Sequence, residues 1–254
     1  MIDADVLVGH YPFRPFPHPS QDPHQIKDYL QARGIQQACL ASLHAAFYAD
    51  PQQGNAELLP QVAGDAFFLP VGTINPSLHN WRDTLARCVA EYGCRLVRLL
   101  PNYHLYSLAD GFVAEFLEEA QRQQVVVAIV KRLEDERMHH LLMKVPGVDN
   151  QEISALAQRY PAPLLIQSAY FAEIQELAAA GPHLYFDIAF AETMNTLQRL
   201  TQAVATDRLL FSTHTPFFYP EAAIGKVENW ATSREQRQQV YRDTVTQLLG
   251  VFTN

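Results

Sequence analysis

Short apolar runs recur along this chain, each followed by a stretch whose apolar residues repeat at helical spacing. The runs occupy residues 2–8, 37–43, 66–72, 95–100, 125–130, 163–166, 184–188 and 208–211. Several are apolar nearly throughout, the pattern of strands covered on both faces. Between them, Asp22-Pro23 reads as an N-cap with a first-turn proline, and Gly34 reads as the stop of that helix. Trp81, Leu85, Cys88, Val89 and Tyr92 form one helical stripe, and Phe112, Val113, Phe116, Leu117 and Ala120 form another. Strands that alternate with helices imply βαβ units and a parallel sheet. Eight such units in 254 residues predict an α/β fold, a single (β/α)8 TIM barrel spanning residues 1–254. A doubly wound open sheet is the alternative, but no Gly-rich phosphate turn follows the first run.

Barrels of this kind place ligands on the loops that follow the C-terminal strand ends, which gives a filter for the ten histidines. All but His183 fall on or near that face, and His10, His44, His104, His139, His140 and His214 lie closest to strand ends. Any one of them alone reads as a surface or helix-cap histidine; their common face points to a functional subset. The segment Lys131-Arg132-Leu133-Glu134-Asp135-Glu136-Arg137-Met138-His139-His140 is the densest polar cluster in the chain. One reading makes it a solvated helix start, with Glu134, Asp135 and Glu136 at the positive end of the helix dipole. The other points Arg132 and Asp135 inward and sets Arg137 or His140 against a ligand.

The first run, Ile2-Asp3-Ala4-Asp5-Val6-Leu7, resembles the Ile-Asp-x-His-x-His opening strand of the amidohydrolase-2 family. Arg208-Leu209-Leu210-Phe211-Ser212-Thr213-His214-Thr215-Pro216-Phe217 resembles that family's Arg-Ile-Leu-Phe-Gly-Ser-Asp-x-Pro-Phe segment. The resemblance implies metal-dependent hydrolysis, or a related lyase step, on a small molecule. At the places where the family carries strand-one histidines this chain has Asp5 and Leu7, and His214 replaces the final aspartate. The family's strand-five histidine aligns with Val130, and its strand-six histidine with Gln167 or Ser168. Metal-poor relatives carry an Arg-x-Glu-Asp-x-Arg stretch and a Trp/Tyr-Pro-Phe-Arg segment, similar to residues 132–137 and Tyr11-Pro12-Phe13-Arg14.

Three readings follow. In the first, an amidohydrolase-like hydrolase or lyase acts on a small, anionic molecule without the usual metal. His214 transfers a proton, His10 and His104 assist, and Arg14, Arg132, Asp135, Arg137, His140 and Asn102 bind the ligand. The second is a non-catalytic relative that binds a ligand or partner. The third is a metallohydrolase holding zinc on Asp5, His10, His104 and His214. The first two expect no cofactor.

Net charge of −8 and an isoelectric point near 5.6 argue against nucleic-acid or anionic-membrane partners. The absence of an apolar leader and the unpaired pattern of Cys39, Cys88 and Cys94 suit a reducing cytoplasm. Base rates alone make a homodimer an expectation.

Overall fold

The computed structural model describes residues 1–142 and 144–250. The single-barrel expectation runs to residue 254, of which 251–254 lie outside the described residues. Eight strands are found: β1 (Ile2–Val8), β2 (Gln37–Ser42), β3 (Phe68–Thr73), β4 (Leu96–Leu99), β5 (Val126–Val130), β6 (Leu164–Gln167), β7 (Leu184–Asp187) and β8 (Leu209–Leu210). Each pairs in parallel with the next, in the order β1 to β8.

The ring is drawn shut at its last seam by single contacts. Phe211 O accepts from Ala4 N at 2.9 Å, Thr215 O accepts from Leu7 N at 2.8 Å, and His214 N donates to Asp5 O at 3.1 Å. β8 is therefore shorter than its apolar run, because the chain beyond Leu210 turns its backbone groups toward β1. β1 carries a register irregularity between Asp3 and Val6, the device that re-aims side chains at barrel rims.

Alternation along the strands sorts the core into two layers. Val6, Ala38, Leu40, Val97, Leu99, Val127, Ile129, Ile166 and Phe186 pack outward beneath the helices. Ala4, Leu7, Cys39, Ala41, Leu96, Ala128, Val130, Leu165 and Leu210 fill the barrel. Both layers are buried, which explains why the strand runs read as largely apolar.

The first helix starts where its cap predicts, and the second uses the same device. Asp22 accepts from His24 N at 2.8 Å at the head of the first helix, α1 (Pro23–Gln31), and Asp50 accepts from Gln52 N at 2.9 Å before α2 (Pro51–Leu58). Gly34 ends the first unit with φ of 81°, a left-handed turn that favours glycine. After β5 the reading of a helix start fails. Only a 3-10 turn, Glu136–Met138, forms there, and the next long helix begins at Asn150. The intervening chain instead crosses the barrel mouth. No helix among the described residues is long and apolar enough to cross a membrane.

Candidate functional site

The crossing segment after β5 is buried where a loop is usually wet. Lys131, Arg132, Glu134 and Asp135 are all buried, and Leu133 is fully enclosed. Burial of these charges requires partners, and each has one. Arg132 grips Glu173 through both Nη atoms at 2.7 Å, donates to Ser168 O at 2.7 Å, and stacks over Tyr170 at 3.9 Å. Lys131 donates to Val148 O at 2.6 Å and pairs with Glu173 at 3.2 Å. Glu134 accepts from Tyr11 Oη at 2.5 Å and Arg14 Nε at 2.8 Å. Above it, Tyr11, Phe13, Phe16, Phe47 and Phe217 form an aromatic plug, with Tyr11 and Phe217 at 5.0 Å.

Beneath this cover lies a sealed polar cluster. His214, with no exposed surface, presents Nδ1 to Asp5 Oδ2 at 2.5 Å and Nε2 to Leu133 O at 2.7 Å. A backbone carbonyl and a carboxylate only accept, so both ring nitrogens must donate, and the ring is an imidazolium. Burial pulls its pKa down, yet the charge and hydrogen bond of Asp5 and the Leu133 carbonyl outweigh burial and leave it raised. Arg98 Nη1 stands 3.8 Å from Asp5 Oδ1 and donates from Nη2 to Ser42 O at 3.0 Å. Burial lowers its pKa to about 10, with Asp5 opposing, so it stays cationic at neutral pH.

Asp3 and Asp187 complete the cluster without a cation of their own. Asp3 accepts from Thr213 N at 2.9 Å and Thr213 Oγ1 at 2.6 Å; Asp187 accepts from Ser168 N at 3.2 Å. Burial raises both to about 7. A carboxyl whose folded pKa exceeds its unfolded value near 4 holds its proton longer when folded. Its contribution is complete below about pH 4 and is lost as pH rises through 7. His214 acts in the same direction above its ordinary pKa. Thermal scans should therefore show Tm falling between pH 5.5 and 8.5, and Asp187→Asn should flatten that slope; a parent Tm that rises over this window contradicts the assignment.

Open space occurs at the rim of the barrel. A cleft of about 640 Å³ is bounded by loops after β5, β6, β7 and β8, with Asp135, Arg137, Tyr170, Phe190, Arg199 and Phe218 in its walls. Its floor rings touch the sealed cluster: Phe190 and Phe218 pack on His214 at 4.9 and 5.7 Å. A separate hollow of about 380 Å³ holds His10 and Arg14.

Of the residues expected at the site, only Asp135 and Arg137 line the larger cleft. Asp135 accepts from Arg137 Nε at 2.9 Å and from Nη2 at 2.5 Å, and Arg137 is 78% exposed. Arg132, expected to bind the ligand, gives Nη1 and Nη2 to the half-buried Glu173, and Arg14 gives its Nε to the buried Glu134. His10 is exposed and gives only its backbone N–H, to His44 Nε2 at 2.8 Å. His104 meets Ala45 O at 3.1 Å, and burial lowers its pKa to about 4, so it is neutral. Asn102 donates to Pro146 O at 2.7 Å, and exposed His140 accepts from Leu142 N at 3.2 Å. Arg199, Phe190 and Phe218 were missed. Their one signal was position after β7 and β8.

The sequence profile of the amidohydrolase family matches residues 26–251. The chain belongs to this family. No curated protein matches its sequence significantly. Solved structures with the same fold include 2,6-dihydroxybenzoate decarboxylase from Rhizobium, at 13% identity and a TM-score of 0.73 over 98% of each chain. The 5-carboxyvanillate decarboxylase of Sphingomonas paucimobilis matches at 10% identity and 0.76, again over 98% of each chain. The dihydroxybenzoic acid decarboxylase of Polaromonas, with bound manganese and the inhibitor 2-nitroresorcinol, matches at 17% identity and 0.75, covering 98% of this chain and 96% of its own.

That last finding corrects the expectation of no cofactor: a divalent cation occurs in relatives of this architecture. Among the described residues, no group of three or more His, Cys, Asp or Glu side chains is placed to hold one. Asp5 and His214 are bonded to each other, a guanidinium stands at 3.8 Å, and the neighbouring inward positions are Leu7 and Val130. The rearranged zinc set also fails to assemble, since His10 and His104 bond elsewhere. As bonded, this donor set does not fit a divalent ion.

Proposed function

We propose that this amidohydrolase-family chain takes a small, partly apolar anion into the rim cleft. Arg137 and Arg199 hold the charged end, and the rings of Phe190 and Phe218 lie under the apolar end. The observation that carries this reading is the pair of arginines with donors to spare in one cleft of ligand size. Arg137 spends Nε and Nη2 on Asp135, and Arg199 spends Nη1 on Thr193 Oγ1 at 2.7 Å. The remaining N–H groups suit a carboxylate. The aromatic acids named for the structural neighbours support the same class of ligand.

A chemical step is favoured by the floor of the cleft. The rings of Phe190 and Phe218 lie between the cleft and His214, whose Nε2 is covered by the Leu133 carbonyl. An imidazolium is an acid, so His214 would donate its Nε2 proton to substrate once the Leu133 carbonyl moves aside. Asp5 would hold the ring in place. A hydrolytic or lyase step needs such a donor at the leaving group or the developing carbanion. His10 and His104 have no place in this step.

Calorimetric titration with 2,6-dihydroxybenzoate and related aromatic carboxylates tests the site. Arg199→Ala should weaken binding by about tenfold or more, the cost of one charge-assisted hydrogen bond. Equal affinity in parent and variant, or no binding of any aromatic carboxylate, removes the reading. His214→Asn should abolish product formation while leaving that affinity unchanged.

A further inference from the structure

A second cleft, of about 370 Å³, adjoins the first at Thr193 and is lined by Lys226, Asn229, Trp230 and the segment 193–198. Lys226 projects from the helix after β8, residues Pro220–Glu228. Its Nζ donates to Ile188 O at 3.0 Å and to Ala189 O at 2.7 Å. Among the described residues no carboxylate pairs with it. The chain has four lysines. Lys27 is paired to Asp65 at 2.7 Å, Lys131 to Glu173 at 3.2 Å, and Lys144 is exposed.

The acceptor count distinguishes the two protonation states. Two carbonyls satisfy both hydrogens of a neutral amine and leave its lone pair free. An ammonium has a third hydrogen, for which the described residues offer no protein acceptor. Burial lowers the pKa to about 8, opposed by Glu192 in the loop after β7 and Asp187 at the end of that strand.

We propose that Lys226 is a nucleophilic amine that forms an imine with a small aldehyde or ketone held beside Trp230. The Nζ lone pair attacks the carbonyl carbon, forming the C–N bond as the C–O π electrons move to oxygen. A proton passes from nitrogen to that oxygen, giving a carbinolamine. The hydroxyl leaves as water after protonation, and loss of the last N–H proton yields the neutral imine. No oxidant or second substrate is needed. Nothing in this assignment depends on the larger cleft.

Treatment of the intact protein with propanal and sodium cyanoborohydride, followed by peptide mapping, tests it. At pH 7 an amine with a pKa near 8 is neutral over a hundred times more often than an ordinary lysine at about 10.4. Lys226 should be alkylated at least ten times faster than Lys144, with a rate midpoint near pH 8, and Lys226→Arg should remove that label. Labelling of Lys144 ahead of Lys226, or a Lys226 midpoint above 10, overturns the proposal. The wild-type profile decides the matter even where the variant folds poorly. Retention of the Lys226 label in Arg199→Ala separates this site from the aromatic-acid site.

Discussion

Replacing Arg132 by alanine is expected to cost about 3–5 kcal/mol of folding stability and to lower Tm by roughly 10 °C. The side chain is 2% exposed and makes two 2.7 Å bonds to Glu173, one to Ser168 O and a stack on Tyr170. Its removal leaves Glu173 partly buried with Lys131 as its remaining cation. Glu173 also accepts from Tyr170 N at 2.7 Å at the head of the helix Phe171–Leu177, so its disorder would fray that helix. Arg132→Lys should recover only part of the loss, because an ammonium cannot reproduce the planar fork or the stack. Thermal denaturation of the three proteins checks the order parent, lysine, alanine; an alanine variant within about 2 °C of the parent would mean that the pair merely offsets its own desolvation.

Asp5→Ala should be comparably severe, about 3–5 kcal/mol, for a different reason. Asp5 is the carboxylate that meets both buried cations, His214 at 2.5 Å and Arg98 at 3.8 Å. Without it Arg98 stays charged in a dry barrel, and His214 loses the group that raises its pKa. The sign of the pH effect follows. In the parent, the His214 contribution is complete below its ordinary pKa of 6.5 and fades as pH rises through the raised folded value. The stability gap between parent and variant should thus be wider at pH 5.5 than at pH 8.5. Chemical denaturation at the two pH values measures it, and a gap that widens with pH would show that His214 is not the imidazolium.

Both effects arise at residues that sequence reading singled out, but in roles it assigned differently. Arg132 and Arg14 stood in polar clusters at a strand end, which is where anion-binding arginines are sought. Glu173 and Glu134, their actual partners, lie 41 and 120 residues away along the chain. His214 stood at the end of the last strand, and nothing local to it shows that its ring would be bonded on both sides and covered. The rim cleft was half legible. Asp135 and Arg137 came from the charge cluster, whereas Arg199 lies in a short helix with no motif around it.

By itself the sequence determined the eight strands, their order, the barrel and the face that carries polar chemistry. These depend on periodicity and capping, which neighbouring residues settle among themselves. Tertiary structure alone decided which charges are spent and which stay free. The carbonyl of Leu133 reaches His214 across 81 residues, and that bond follows from how the segment after β5 packs over the mouth. A donor's availability is a property of its surroundings, and those surroundings are assembled only when distant segments meet.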